Sequence, residues 1–235
     1  MTATGLRRFR EPPRTDRSAW SPTTPATPAT PATPTTPTPT TLCELCATPA
    51  GEEHGHLVNV ESRALLCACR ACYLLFTRDT DGRARYRAVP RRYLHAPRFL
   101  LSAADWDEMQ IPVRTAFFFH NSAMDRTVAF YPSPAGATES LLPLETWRRV
   151  LANNPEMADV RPDVEALLVD RRPDGGFACH LVPIDTCYAL VGLVRMHWKG
   201  FDGGEEAREA INGFFADLRG RGRTVPPLRG GEGGG

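Results

Sequence analysis

The chain has 235 residues, 42% of them hydrophobic, and a formal net charge of +1. That length holds one medium domain and a small accompanying unit, and a charge so near zero argues against coating nucleic acid or an anionic membrane through the overall field. No apolar run approaches the roughly eighteen residues that span a bilayer, and the arginine-rich start lacks the apolar stretch of an export signal. The expectation is therefore a soluble, cytoplasmic chain whose thiols stay reduced.

In chain order, residues 1–41 open with Arg7, Arg8, Arg10, Arg14 and Arg17 and continue as a Pro/Thr/Ala repeat to Thr41. Such a repeat buries no apolar surface and loses an amide donor at every proline, so it reads as a disordered, polyproline-like linker. The arginines read as a tail, or alternatively as a docking peptide that the linker holds away from the body.

Residues 42–78 form the second segment. Five of the seven cysteines fall here, as Cys43-Glu-Leu-Cys46 and Cys67-Ala-Cys69-Arg-Ala-Cys72. A C-x2-C turn presents two sulfurs on one side, and two such turns complete a tetrahedral thiolate site. With reduced thiols, a metal is expected rather than disulfides, with Cys43, Cys46, Cys69 and Cys72 as ligands. Between the pairs, residues 56–60 and 64–67 read as strands joined by a turn at 61–63. The unit is thus expected to be zinc-ribbon-like and folded by its metal. Cys67 is the alternative ligand, a spare thiol or a member of a larger thiolate set, on the same face as Cys69 if both are in a strand. His54 and His56 are further candidates, set aside as turn residues. Tyr73–Phe76 reads as a strand leaving the ribbon.

Residues 79–220 read as an α+β domain. After a charged turn at Asp79–Gly82, strands are expected at 115–120 and 127–131, then a helix containing Leu144, Trp147, Val150 and Leu151. A second strand pair at 165–170 and 177–182 flanks the turn signal Pro173-Asp-Gly-Gly176. A helix capped by Asp185 runs to about Trp198, and a final helix covers 205–218. Ser102-Ala-Ala-Asp105 is a capping-box start for a short helix that Pro112 ends. The order is ββα then ββαα, followed by a glycine-rich disordered tail at 221–235.

Few residues point to a reaction. Cys179 and His180 fall on opposite faces of a strand, and Cys179 and Cys187 read as packing. His120 ends a strand and His197 ends a helix, where a cation suits the dipole. No phosphate-binding loop, dinucleotide fingerprint, nucleophile elbow or zinc-protease motif is present, so no catalytic residue is assigned and a non-enzymatic role is expected. From Arg70 to Arg98 eight arginines face two aspartates. This strip suits an acidic protein partner; it matches no RRM, KH or C2H2 pattern, so nucleic acid is the minor reading.

The Cys43–Cys72 cluster, Trp106–Pro112, the phenylalanines at 117–119 and Trp198–Gly204 resemble an uncharacterised actinobacterial family, a domain of unknown function encoded near [NiFe] uptake-hydrogenase genes. The resemblance covers roughly residues 42–220, and the arginine-for-lysine, Ala/Pro/Thr-rich composition fits such a genome. It implies an accessory role in hydrogenase maturation or assembly, with hydrogenase subunits or assembly factors as partners, and it carries no catalytic residues. Beside a redox enzyme, four thiolates could also hold iron as an electron carrier, or an Fe–S cluster that also uses Cys67. Rubredoxin knuckles place glycine after the second cysteine, where this chain has Ala47 and Tyr73, so zinc is the expected metal and iron the alternative.

Overall fold

Strict alternation along two central strands determines the layering. The computed structural model describes residues 41–78, 85–140, 145–200 and 203–225. The linker up to residue 40, the charged turn at 79–82, Leu144 and the last ten residues lie outside that description. The described residues contain ten strands: β1 (Gly55–Asn59), β2 (Ala64–Ala68), β3 (Tyr86–Ala88), β4 (Leu94–Ala96), β5 (Thr115–Asn121), β6 (Arg126–Ser133), β7 (Gly136–Ser140), β8 (Glu165–Arg171), β9 (Phe177–Pro183) and β10 (Arg223–Thr224). The helices are α1 (Arg70–Phe76), α2 (Ala103–Glu108), α3 (Glu145–Ala152), α4 (Ile184–His197) and α5 (Gly204–Arg221), with a 3-10 turn at Pro155–Met157.

The strands form a three-stranded sheet ordered β2-β1-β3 and a seven-stranded sheet ordered β10-β4-β9-β8-β5-β6-β7. Every pairing is antiparallel except β10 with β4. In β5, Phe118 joins a core with Trp106 and Trp147, beneath α2 and α3. Its neighbour Phe117 points the other way, into a core with Leu190, Val194, Phe215 and Leu218 of α4 and α5. β8 repeats the alternation, with Leu167 and Val169 on the first side and Ala166 and Leu168 on the second. Both faces of the large sheet are thus covered by helices, and each fully buried Phe or Leu side chain contributes about 1.5–3 kcal/mol.

α2 starts where the sequence placed it: the Ser102 hydroxyl accepts from Asp105 N, and the Asp105 carboxylate accepts from Ser102 N. The turn between β8 and β9 is closed by Gly175, at φ +84°, donating to Arg172 O. Four expectations are corrected. Residues 73–76 are helical, because the chain turns at Cys69 and Tyr73 N donates to Cys69 O; a four-residue apolar run does not distinguish strand from helix. The expected ββα carries a third strand, β7, a polar edge strand with only weak β signal. β3, β4 and β10, each two or three residues long, fall below the length at which periodicity is visible. Asp185 is not the N-cap: α4 begins at Ile184 after Pro183, so Asp185 lies inside its first turn.

The small sheet packs onto the same side as α4 and α5. Val58 of β1 and Val89 join that core, with Leu65 against it. β3, from beyond residue 78, supplies the third strand beside β1.

Two buried polar sites carry measurable consequences. Glu165 is 0% exposed and receives a two-pronged contact from Arg92 (Nε–Oε1 2.9 Å, Nη2–Oε2 2.7 Å) and the amide of Arg161 at 2.9 Å. Arg92→Ala leaves that carboxylate uncompensated and should cost about 3–5 kcal/mol in urea unfolding. Replacing both partners by apolar residues of similar volume should recover most of the loss.

His95 and His180, opposite each other on β4 and β9, stack with ring centroids 4.4 Å apart. Burial, then His95 and Arg219, hold His180 down to about 3, and its Nε2 has no hydrogen-bond partner. The native state therefore keeps His180 neutral while the unfolded chain protonates it near 6.5. Its contribution is present above about pH 6.5 and is lost as pH falls toward 3. His180→Phe should flatten the acid limb of the urea midpoint between pH 7 and 4.

Candidate metal centre

The first cysteine pair sits on a tight turn. Ala47 N donates to Cys43 O at 2.8 Å, Cys43 N donates to Thr48 O at 2.8 Å, and Ala47 takes the left-handed φ of +58°. This is the backbone that a glycine would supply, adopted by alanine at a cost of about 1–2 kcal/mol. The second pair is built differently. Cys69 is the N-cap of α1 and Cys72 lies in its first turn. Residues three apart on a helix share one side, so one helical turn does for Cys69 and Cys72 what the knuckle does for Cys43 and Cys46. The unit is thus a knuckle, a hairpin and a helix rather than two knuckles.

The four sulfurs of Cys43, Cys46, Cys69 and Cys72 all lie within 4.8 Å of one another. Cys46 and Cys69 sulfurs are 3.7 Å apart. A Zn–S length of about 2.3 Å in a tetrahedron requires sulfur separations of about 3.8 Å, whereas a disulfide needs about 2.05 Å. All seven cysteines are free thiols. The four residues therefore form a group able to hold one metal ion. Cys43 and Cys72 are buried and Cys46 is exposed, so the site lies at the surface with one side sealed.

The surroundings of the sulfurs favour deprotonation of Cys43 and Cys69 and oppose that of Cys72. Burial pushes the Cys43 thiol up, but the amides of Cys69, Leu45 and Cys46 and the Cys46 thiol outweigh it and bring Cys43 down to about 6. Cys69 is also lowered, first by the amide of Cys72. Cys72 is raised to about 12, first by sharing a hydrogen bond with Cys46, then by burial and by Cys69 and Cys43. Four thiols this close release their protons one after another, and a bound cation is what favours the fully deprotonated set.

Around the sulfurs the apolar core is minimal: Cys43, Leu57, Ala68 and Cys72 are its buried members, with Tyr73 and Phe76 packed against it. Gly55 allows α1 this close, since a Cβ there would overlap the Tyr73 ring.

Cys67 does not join these four. It pairs with His56 across β1 and β2, on the hairpin face opposite Leu57 and Ala68. Cys69 has already left the strand, so the expected shared face with Cys67 is absent. Instead Cys67, His54 and His56 bring one ligand atom each within 4.8 Å of one another. Sequence reasoning missed this second group because its members looked like separate turn and strand residues; the available signal was the hairpin register, which sets His56 opposite Cys67.

The other candidates lie apart from both groups. Cys179 and Cys187 are fully buried, and burial holds both thiols well above the ordinary range. His197 Nδ1 lies 3.0 Å from Glu206 and His120 Nε2 lies 3.6 Å from Asp125. The arginine strip is partly turned inward: Arg87 bonds the buried Asp163 at 2.7 Å and Arg92 the buried Glu165, whereas Arg85 pairs with Glu61 at the surface. Among the described residues, no helix is long and apolar enough to cross a membrane.

No curated protein and no solved structure matches the chain. A family model does match, from Leu42, one residue ahead of the first knuckle, to Gly222 at the end of α5, and on that match over residues 42–222 the chain belongs to the Family of unknown function (DUF5947).

Proposed function

We propose that Cys43, Cys46, Cys69 and Cys72 hold one structural zinc ion, and that the protein is a non-enzymatic accessory or interaction protein whose docking surface this ion fixes. The observation that carries the reading is the convergence of four sulfurs within 4.8 Å of one another beside a four-residue core. So small a core does not offset the ordering of the segment it must hold. A structural zinc site contributes about 10–16 kcal/mol of apparent binding energy, comparable to the entire stability of a typical domain. The composition of the site, four thiolates with no open position, is that of a clamp.

The iron alternative divides at the two pairs. Ala47 adopts the left-handed backbone of the rubredoxin glycine, whereas the second pair opens a helix and Tyr73 lies within it. Only one half of the site thus matches an iron knuckle, which favours zinc.

The interaction role rests on α1. Directly behind Cys72, Leu74 and Leu75 are 48% and 65% exposed, with Arg70 and Arg78 exposed at either end of the helix. An apolar pair flanked by cations suits an acidic protein surface. Hydrogenase subunits or assembly factors are the proposed partners, on the family resemblance alone. The arginines tied to carboxylates within the fold speak against nucleic acid.

Elemental analysis with a visible spectrum tests the metal. Cys43→Ser and Cys69→Ser should each remove one equivalent of zinc and loosen α1, seen as loss of amide protection at residues 70–76. Iron with visible charge-transfer colour would replace the clamp with an electron carrier. For the surface, Leu74→Asp with Leu75→Asp should weaken association with purified hydrogenase subunits at least tenfold while leaving the metal content unchanged.

A further inference from the structure

On the opposite face of the β1–β2 hairpin from the sulfur cluster, His54, His56 and Cys67 converge in a way that the four-cysteine clamp does not use. His56 and Cys67 are direct cross-strand partners, which places their Cβ atoms about 4.5–5.5 Å apart. His54, two residues before His56, sets its ring edge-on to the His56 ring at 4.9 Å. One ligand atom from each of the three lies within 4.8 Å of the others.

Both rings are oriented from behind. His56 Nδ1 lies 2.7 Å from Asp185 Oδ2, and His54 Nδ1 lies 2.9 Å from Gly51 O. A carboxylate and a carbonyl only accept, so each Nδ1 carries a proton, and in the neutral ring Nε2 is the nitrogen left to ligate. A metal-ligating imidazole is typically fixed in this way, its second nitrogen donating to a carboxylate or a backbone carbonyl. Asp185 arrives from the first turn of α4, where its other oxygen accepts from Thr186 N at 2.7 Å. Cys67 is held by its backbone: its amide donates to Glu44 Oε2 at 2.6 Å and its carbonyl accepts from Glu44 N at 2.9 Å. An ion pair would account for His56 and Asp185, but not for the convergence of His54 and Cys67 on the same point.

We infer that His54 Nε2, His56 Nε2 and Cys67 Sγ form a second metal site, for a divalent cation of zinc-like softness, distinct from the four-cysteine clamp. Two imidazoles and one thiolate are a three-ligand set that leaves one tetrahedral position open, as in zinc sites that bind water or an exogenous ligand. His54, His56 and Asp185 line a cavity of about 570 Å³ together with Arg70, Arg91 and Tyr93. The cavity gives an ion and a fourth ligand a route to the two histidines.

The test is zinc stoichiometry and affinity on the full chain, stripped and then titrated with Zn2+ under equilibrium dialysis. Wild type should bind two zinc ions. His54→Ala with His56→Ala, and separately Cys67→Ser, should bind one, with amide protection at 70–76 retained. Asp185→Asn leaves all three ligands in place and should weaken the second ion 10–100-fold without touching the first; this variant keeps the test decisive if a ligand variant folds poorly. Cys43→Ser should remove the other ion, so failure of the clamp and failure of the second site are separately visible. A wild-type chain that binds one zinc, or histidine variants that still bind two at unchanged affinity, would overturn the assignment. A single ion lost in both Cys43→Ser and Cys67→Ser would overturn it too, by making Cys67 a ligand of one thiolate-rich centre.

Discussion

β1 has no free face along its middle. Leu57 points to the four sulfurs and Val58 points to the core beneath α4 and α5. A one-residue slip of the hairpin would exchange the two sets completely, so a single register serves both the small unit and the large sheet. The sulfur cluster is therefore mechanically continuous with the main core: the strand that presents Leu57 to Cys43 and Cys72 also carries Val58 against the helical layer. Glu44 reinforces the link, because its side chain and amide both bond the Cys67 backbone and so tie the first knuckle to β2.

The same hairpin separates two kinds of chemistry. On one face the four sulfurs of Cys43, Cys46, Cys69 and Cys72 gather within 4.8 Å of one another. On the other, two imidazoles line a cavity and lie close to the Cys67 thiol. The separation is a matter of strand parity alone: Ala68 belongs to the first face, Cys67 to the second, and Cys69 reaches the sulfur cluster only because the chain has already turned into a helix.

Electrostatics follow the same economy. Glu165 and Asp163 are buried carboxylates, and each is met by an arginine from the strip between residues 70 and 98. What looks like a basic surface in linear order is in part the internal counter-charge of the large sheet. The histidines divide likewise by surroundings: His180 is stacked and neutral beside His95, His197 faces Glu206, and His56 is oriented by Asp185.

Local features were legible in the sequence because their causes are local. The two C-x2-C pairs, the hairpin between them, the Ser102–Asp105 cap, the β8–β9 turn and the long apolar strands all arise from residues within a few positions of one another. The sequence also carried the opposite facing of Cys179 and His180, since strand parity needs no partner. What it did not carry depends on elements far apart in the chain. Whether residues 73–76 are strand or helix was decided by the turn at Cys69, after which Tyr73 N donates to Cys69 O and Cys72 faces the first knuckle. Short strands such as β3, β4 and β10 exist only because longer neighbours offer them unpaired edges. Asp185 was expected to cap its own helix, yet its carboxylate bonds His56, 129 residues earlier. That pairing, and with it the grouping of His54, His56 and Cys67 beside a cavity, comes from packing α4 against the hairpin, an arrangement set by burial of apolar surface that no local pattern encodes.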